Sequence, residues 1–441
     1  MENTWLYYND PKELEKSIFT LPSRFLPGAF HHSSFTSINL KEDFMAFEPS
    51  EKTQAILDMM NEFVDKELIP LEAEMMNGKE FFELEPELEK KRQMVRDMEL
   101  WAPLHPKECG GMGLPLMDTA MIFEVLGRTW YGLYAFGCQA PDAGNAEILH
   151  KYGTPEQKEK YLNPLVEGKI RSCFSMTEVE VAGSNPTWLL TTAEKDGDDY
   201  VINGQKWYTS CADGAEFAIV MAETNPEAES RHQRASMIIV PIEAQGFNLV
   251  RNIQVMGHVG NGWNSHAEVA YQNCRVPQSN VLGGEGMGFV LAQDRLGPGR
   301  IHHCMRWVGI MNRCFELMCS YAKKRRRTPD QVLADSDIIK TYVADSAADI
   351  LSSRLMVLNA AWTIQNKGVK DAMKDISIIK FYVANAMQRV VDRALQVHGG
   401  LGMSDDTPIG LYYRGERSAR IYDGADEVHK ISVAKRILRE Y

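Results

Sequence analysis

The chain of 441 residues has a formal net charge of −12, with 44% hydrophobic and 24% charged residues, and this length suffices for two or three domains with a sizeable core. The negative charge argues against nucleic acid as the main partner, because binding to phosphates requires a basic face. No apolar run approaches the roughly 20 residues that cross a bilayer, and the start of the chain lacks the features of a signal or transit peptide, so we predict a cytoplasmic protein without membrane contact.

The first predicted element is an arm of irregular composition at residues 1–49. His31 and His32 are adjacent in this arm, but two histidines without a third nearby ligand do not indicate a metal site. The eight cysteines of the chain are scattered, without a CxxC pair or the Cys/His spacing typical of zinc. We interpret them as reduced, mostly buried thiols, and we predict no metal site.

A helical domain is predicted over residues 50–171. Its apolar residues recur every three to four positions, which is the period of an amphipathic helix. A stretch rich in Gly and Pro at residues 105–116 interrupts this pattern as a loop. The predicted helices span residues 53–71, 85–100, 117–126 and 155–167.

A middle β domain is predicted over residues 172–284, where the hydrophobic period changes to two. Residues 200–208 contain the pair Asn203-Gly204, which is typical of a hairpin turn. Several short strands in succession, without helices between them, favour a small barrel or sandwich. The further predicted strands span residues 217–222, 236–242, 247–253 and 267–274.

A C-terminal helical bundle is predicted over residues 285–441. Its helical stretches are long, which favours antiparallel packing as a four-helix bundle. The predicted helices span residues 289–324, 331–366, 370–397 and 426–440. The predicted fold class is therefore mainly α with a central β domain.

The segment Ile-Tyr-Asp-Gly-Ala-Asp-Glu at residues 421–427 combines two bulky apolar residues, a carboxylate and a glycine. If Asp423 lies at the end of an apolar pocket, burial raises its pKa and makes it a general base near neutral pH. The alternative is a solvated acidic loop, in which Asp426 or Glu427 favours the N-terminus of the last helix. The segment alone leaves both interpretations open.

Four segments, in this order and spacing, resemble the acyl-CoA dehydrogenase family of flavoproteins. They are Phe-Ser-Met-Thr-Glu with a later Gly-Ser at 174–184, Ile-Asn-Gly-Gln-Lys-Trp-Tyr-Thr-Ser at 202–210, Arg-Leu-Gly-Pro-Gly-Arg at 295–300, and Gln-Val-His-Gly-Gly-Leu-Gly at 396–402 leading to Tyr-Asp-Gly at 422–424. The resemblance implies FAD as the cofactor. It also implies the family fold, in which a β domain lies between two helical domains.

The resemblance also implies which residues contact the cofactor and the substrate. The implied cofactor-binding residues are Phe174, Met176, Thr177, Ser184, Tyr208, Thr209, Ser210, Arg325, Gln396, Gly399, Gly400 and Ala425. The implied substrate-binding residues are Ser184, Arg300, Tyr422 and Gly424. His302 and His303 follow Ile301, next to Arg300, and we interpret both as helix-packing or surface residues, with a role near the ligand left open.

The chain departs from the family pattern in several places. Val179 stands where proline is usual, Asn185 replaces an aspartate, and Cys211 replaces a common asparagine beside the flavin. Thr328 and Pro329 replace an aromatic residue and a glycine that usually follow Arg325 in the family. The usual packing at that end of the bundle is therefore not expected to be kept.

By the resemblance, the reaction is dehydrogenation of an acyl-CoA thioester to a trans-2-enoyl-CoA. Asp423 removes the α-proton, while its own N–H and a flavin ribityl hydroxyl hold the thioester carbonyl. The β-hydride moves to flavin N5, and an electron-transfer flavoprotein or similar acceptor receives the electrons. Because the family shares its flavin site between subunits, a homodimer or homotetramer is implied.

The implied base is an aspartate, whereas glutamate is usual in the family. Aspartate reaches about 1 Å less far, and a misplacement of that size can cost about 100-fold in rate. Another branch of the family places its glutamate at the position of Gly299, and glycine excludes that variant here. Aspartate occurs in the branch that resembles family members ten and eleven, whose fused kinase-like domain is absent from this shorter chain.

Two alternative functions are compatible with the sequence. A nitroalkane-oxidase-like enzyme also uses an aspartate base, and it would react with oxygen instead of an electron-transfer partner. A relative without dehydrogenase activity could instead bind nucleic acid through the basic run at residues 323–327, although the net charge of −12 argues against this function.

Overall fold

The computed structural model describes residues 47–441, so His31, His32 and most of the predicted arm lie outside the described residues. The elements follow the predicted order of helices, strands and helices. The predicted fold class, mainly α with a central β domain, is confirmed. Within the described part of the chain, no helix combines the length and the apolar composition that crossing a membrane requires.

The first helix begins at a capped end, because the Ser50 hydroxyl accepts from the N–H of Thr53 at 3.1 Å. The sequence pattern missed the helix Asp142–Tyr152. Most sides of that helix are buried, which removes the polar face that periodicity requires. The α-helices of this part are α1 Glu51–Phe63, α2 Glu72–Met76, α3 Phe81–Asp97, α4 Leu116–Leu126, α5 Gly132–Ala135, α6 Asp142–Tyr152, α7 Pro155–Gln157 and α8 Asn163–Val166.

The middle of the chain forms a mixed sheet. The strand order is β6-β7-β3-β2-β4-β5-β8, and β1 pairs with β4 in parallel. The strands are β1 Ser172–Ser175, β2 Thr192–Asp196, β3 Asp199–Ser210, β4 Phe217–Glu223, β5 Ala235–Pro241, β6 Phe247–Asn252, β7 His266–Pro277 and β8 Val281–Leu282.

The pair Asn203-Gly204 does not form the predicted hairpin turn. Strand β3 continues through it, and the register with β7 shifts between Ile202 and Gly204, which is a β-bulge. A Cβ at Gly204 would lie 2.4 Å from the Thr191 hydroxyl oxygen, so glycine is needed there for close packing. The β2–β3 hairpin turns at Gly197 instead.

Alternate residues of β4 and β5 point to opposite faces of the sheet, and both faces are buried. On one face, Phe217 and Ile239 pack with Leu149 of α6, Leu165 of α8 and Leu291 from the C-terminal part. On the other face, β4 and β5 pack with side chains of β3 and β7. The first of these cores therefore joins the sheet to both helical parts of the chain.

The C-terminal part consists of long helices. The first of them has 37 residues and is about 55 Å long at the helical rise of about 1.5 Å per residue. The helices are α9 Gly288–Lys324, α10 Asp337–Lys367, α11 Val369–His398, α12 Ile409–Gly415 and α13 Asp426–Ile437. The helix predicted over residues 331–366 begins only at Asp337, because β9 Arg326–Thr328 and β10 Gln331–Val332 form a small hairpin with Pro329 in its turn.

Candidate active site

Asp423 lies in the turn that precedes α13, in the left-handed backbone conformation with φ 52°. Its carbonyl oxygen accepts from Nε of Arg300 at 3.1 Å, and Nε2 of His429 lies 3.1 Å from the same oxygen. Gly424 follows with φ 96°, and a Cβ there would lie 2.6 Å from Nε2 of His429. The glycine therefore lets His429 reach the turn, and the two contacts fix the backbone that carries the carboxylate.

The Asp423 carboxylate contacts His303. Nε2 of His303 lies 3.2 Å from Oδ2 of Asp423, and the two side chains are only 21% and 19% exposed. The interpretation as a packing residue is therefore wrong for His303. It fits His302, whose ring stacks on Phe123 at 4.5 Å and whose pKa is lowered by burial to about 3. Consecutive residues of a helix point in different directions, so only one of the two histidines reaches the base.

The prediction of a raised pKa for Asp423 is wrong. Burial alone raises this pKa, but the contact with His303 and the charges of His303, Arg295 and Arg300 outweigh burial and hold the pKa well below its ordinary value. The carboxylate is therefore ionised at neutral pH. It can accept a proton without first losing one.

A buried ionic network lies beneath the turn. Glu416 accepts from both terminal nitrogens of Arg306, and from Nε1 of Trp307 at 3.2 Å. Arg306 also donates to the hydroxyl of Tyr422 at 3.1 Å, and Nζ of Lys380 lies 5.3 Å from the ring centre of Tyr422. Tyr422, which directly precedes Asp423, is thus held by α9 and α11.

Arg295 connects α9, near Asp423, to the sheet and to the N-terminal helices. Its guanidinium lies 4.1 Å from the ring centre of Phe174 in β1, and its Nε donates to Oδ1 of Asn145 in α6 at 3.1 Å. Its charge also contributes to the lowered pKa of Asp423. One face of the Phe174 ring, which we predicted to contact the flavin, is therefore covered by Arg295.

The loop after β1 is held by a buried ion pair between Lys206 and Glu178. Nζ of Lys206 lies 2.8 Å from Oε1 of Glu178, and the two side chains are 0% and 2% exposed. Lys206 also donates to the carbonyl of Met176 at 2.9 Å, and the Glu178 carboxylate accepts from the backbone N–H groups of residues 190–191. Met176 and Thr177, both half-buried, are thus held in place at the edge of the sheet.

The end of β3 presents an aromatic ring and a hydroxyl. Tyr208 is 48% exposed and has φ 49°, and Oγ of Ser210 lies 2.7 Å from Nδ1 of His266. Thr209, between them, is fully buried, and its hydroxyl lies 3.3 Å from that of Ser175. Thr209 therefore has no surface for the predicted cofactor contact, whereas its two neighbours do.

The remaining predicted residues of this region differ in their exposure. Ser184 is exposed, and Ala425 is half-buried at the N-cap of α13. Cys211, which replaces the common asparagine, is buried with its thiol 3.1 Å from the carbonyl oxygen of Trp263. Burial raises the pKa of the Cys211 thiol well above its ordinary value, so this thiol is neutral.

Four predicted cofactor residues lie at the other end of the bundle. There the ring of Tyr321 stacks on His398 at 4.3 Å, which brings the C-terminal ends of α9 and α11 together. All four residues are exposed, and no atom lies within 4 Å of a Cβ built at Gly399 or at Gly400. This end of α9 is about 37 Å from Arg300 at the helical rise of about 1.5 Å per residue. The four residues are Arg325, Gln396, Gly399 and Gly400.

Glu147 of α6 was not predicted from the sequence. Burial raises its pKa from 4.5 to about 7, although the charges of Arg295 and Lys151 oppose the shift. Because the folded-state pKa exceeds the unfolded one, the folded state binds more protons within this window, and stability falls as pH rises through it.

We therefore expect Glu147→Gln to stabilise the protein by about 1–3 kcal/mol above pH ~8 and to change little below pH ~4, since one pKa unit corresponds to about 1.4 kcal/mol. Urea unfolding at the two pH values measures this difference. Glu159→Gln, which changes an exposed carboxylate of the same helical part, serves as the control. Equal stabilisation at both pH values would contradict the prediction.

Three family models match this chain. The N-terminal domain of acyl-CoA dehydrogenase matches residues 50–169, the middle domain matches residues 173–274, and the C-terminal domain matches residues 286–438. Together they cover nearly all of the described chain, in the order of its helices, sheet and bundle.

Individual relatives agree with these matches. The chain is 39% identical over 411 residues to acyl-CoA dehydrogenase family member 11 of Gallus gallus, covering 91% of this chain and 52% of that protein, so it spans about half the length of that relative. It is 43% identical over 353 residues to the probable acyl-CoA dehydrogenase FadE2 of Mycobacterium tuberculosis, covering 79% of this chain and 85% of that protein. The solved structure of butyryl-CoA dehydrogenase from Megasphaera elsdenii has a TM-score of 0.76 at 26% identity and covers 89% of this chain and 99% of that one. The chain belongs to the acyl-CoA dehydrogenase family.

Proposed function

We propose that this chain dehydrogenates an acyl-CoA thioester between its α- and β-carbons, with FAD as the cofactor and Asp423 as the base. The observation that carries the proposal is the mostly buried Asp423 carboxylate on a turn held by Arg300 and His429. A carboxylate with few water neighbours and a fixed backbone is suited to remove a proton from a bound substrate.

The predicted cofactor residues in β3 and in the loop after β1 fit a flavin. Tyr208 offers an exposed ring, Ser210 a hydroxyl, and Met176 and Thr177 lie on a loop that the buried Glu178–Lys206 pair holds rigid. Preorganised polar groups of this kind can stabilise charge that develops on a cofactor. When bound, FAD supplies the acceptor of the β-hydride.

The chain itself supplies the acid–base chemistry. No acceptor within residues 47–441 bonds to the N–H of Asp423, so this donor is free to polarise a thioester carbonyl, which acidifies the α-carbon. The Asp423 carboxylate takes the α-proton. Arg300 holds the turn through the carbonyl oxygen of Asp423, so that the N–H and the carboxylate of one residue act on neighbouring atoms of the substrate.

We further propose that the active unit is a homodimer or homotetramer. Arg325 lies about 37 Å along α9 from Arg300, Gly399 and Gly400 follow the end of α11 that packs beside that end of α9, and all three are exposed. In such an assembly, the end of the bundle that carries Arg325, Gly399 and Gly400 in one subunit contacts the flavin held beside Asp423 of another subunit. The proposed electron acceptor is an electron-transfer flavoprotein or a similar carrier.

Anaerobic titration of the FAD-loaded protein with acyl-CoAs of increasing chain length tests the proposal. We expect at least one acyl-CoA to bleach the flavin absorbance, and the enoyl-CoA product to appear in equal amount. The same preparation is assayed with nitroethane and oxygen, because a nitroalkane-oxidase-like enzyme also uses an aspartate base. Turnover of nitroethane together with indifference to every acyl-CoA would favour that alternative and exclude our proposal.

A further inference from the structure

We propose that His303 is the positioning residue of the base: it holds Oδ2 of Asp423 and leaves Oδ1 to take the α-proton. The inference rests on the proposed function and adds a second residue to its acid–base chemistry. Nε2 of His303 lies nearest to Oδ2, at 3.2 Å, and no donor within residues 47–441 bonds to Oδ1, since Arg300 and His429 contact the carbonyl oxygen of Asp423.

The His303 ring is itself held in place. It stacks beside Trp307 with ring centres 6.2 Å apart, and its centre lies 5.2 Å from that of Tyr422. Trp307 is fully buried and donates from Nε1 to Glu416. Tyr422 directly precedes Asp423, so the ring packs against the same turn that carries the base. A donor with so little freedom keeps the carboxylate in one rotamer.

The charged and titratable groups around the carboxylate come from three helices and from the turn. Among the cationic groups of the described residues, only His303 comes within 4.0 Å of the carboxylate oxygens. The others act at longer range or on the backbone of the turn. The groups are Arg295, Arg300, His303 and Cys304 from α9, Lys380 from α11, His429 from α13 and Tyr422 from the turn.

The contact between His303 and Asp423 explains how an aspartate can serve where glutamate is usual. A base that reaches about 1 Å less far than glutamate tolerates little rotational freedom, because displacement of that size can cost about 100-fold in rate. His303 supplies the missing restraint from α9. Nε2 of His303 can donate to Oδ2 in the charged ring and in the neutral tautomer that carries its proton on Nε2.

The test compares His303→Leu, which removes the donor, with His303→Gln, which keeps an N–H near the position of Nε2. In His303→Leu we expect the flavin-bleaching rate to fall by about 10- to 100-fold with little change in KM. We also expect the rate of His303→Leu to fall on the acid side at a higher pH than the rate of the wild type, because the contact that lowers the pKa of Asp423 is lost. In His303→Gln most of the rate is retained.

Infrared difference spectra give a readout that needs no turnover. The carboxyl band of Asp423, identified by its loss in Asp423→Asn, is titrated in the wild type and in both variants without substrate. We expect its midpoint to rise in His303→Leu, and to rise less in His303→Gln. If His303→Leu does not fold, the shift in His303→Gln carries the test.

An unchanged infrared midpoint and an unchanged acid limb in a folded His303 variant would overturn the inference, because His303 would then be a packing residue only. Failure of the proposed function is a different result: no acyl-CoA bleaches the wild-type flavin. The infrared titration still reports on the contact between His303 and Asp423 in that case. The two failures are therefore distinguishable.

Discussion

Asp423→Asn is expected to slow flavin bleaching by the best acyl-CoA by about 10²- to 10⁴-fold, which is the usual contribution of a general base. Asparagine is nearly isosteric with aspartate and tolerates the left-handed conformation that Asp423 adopts at φ 52°. The turn is therefore kept while the proton acceptor is lost. Anaerobic stopped-flow measurement of the flavin absorbance gives the rate, and the FAD content of the variant shows whether the site is intact.

The neighbouring carboxylate Glu427 provides the matched control. Glu427 is exposed at the start of α13, so Glu427→Gln changes the charge of the same segment without touching the base. We expect the wild-type bleaching rate in this variant. Bleaching of Asp423→Asn at the wild-type rate, with normal FAD content, would show that Asp423 is not the base.

The sequence singled out Asp423 as the proposed base, but it did not predict the direction of the shift in the pKa of Asp423. The spacing from the Gly399-Gly400 pair pointed to Asp423, and the structure places it on a turn in the left-handed conformation, held by Arg300 of α9 and His429 of α13. A pKa depends on every nearby charge. Arg295, Arg300 and His303 lie more than a hundred residues earlier in the chain, and a local reading of residues 421–427 could not include them.

Helix direction explains why His303 was missed. His302 and His303 are adjacent in the sequence, and composition alone treats them alike. On α9 the His302 ring meets Phe123, whereas His303 meets Asp423. The hydrophobic period could have separated the two, because His302 continues the buried side of the helix and His303 does not.

Two elements that the sequence misrepresented, α6 and the bulge at Gly204, share one physical cause, which is tertiary contact. Helix α6 has too little exposed surface to show an amphipathic period. Gly204 is needed because Thr191 packs against it. In the sequence alone, the pair Asn203-Gly204 resembles a turn signal. The long helices were predictable because burial on one face leaves a regular period, whereas β4 and β5, which are buried on both faces, appear as short continuous apolar runs.

Glu178→Gln is expected to destabilise the protein by about 3–5 kcal/mol at neutral pH, since it leaves the Lys206 cation buried without a counter-charge. Both side chains are almost completely inaccessible, and burial already lowers the pKa of Lys206 from 10.5 to about 8 in the presence of Glu178. The glutamine keeps one of the two oxygens that accept from the backbone N–H groups of residues 190–191, so the loss combines the uncompensated charge of Lys206 with one backbone hydrogen bond. Urea unfolding measures it.

The pH dependence separates a charge effect from a packing effect. Because the folded-state pKa of Lys206 lies below the unfolded value, the unfolded state binds more protons between the two values, and stability rises with pH through that window. Without Glu178 the pKa of Lys206 falls further, so the window extends to lower pH and the variant recovers part of its loss on the alkaline side. The double variant Glu178→Gln/Lys206→Met, which has no buried charge, is expected to recover most of the stability at neutral pH. Equal destabilisation of the single and double variants at every pH would instead assign the loss to packing of the loop that carries Met176 and Thr177.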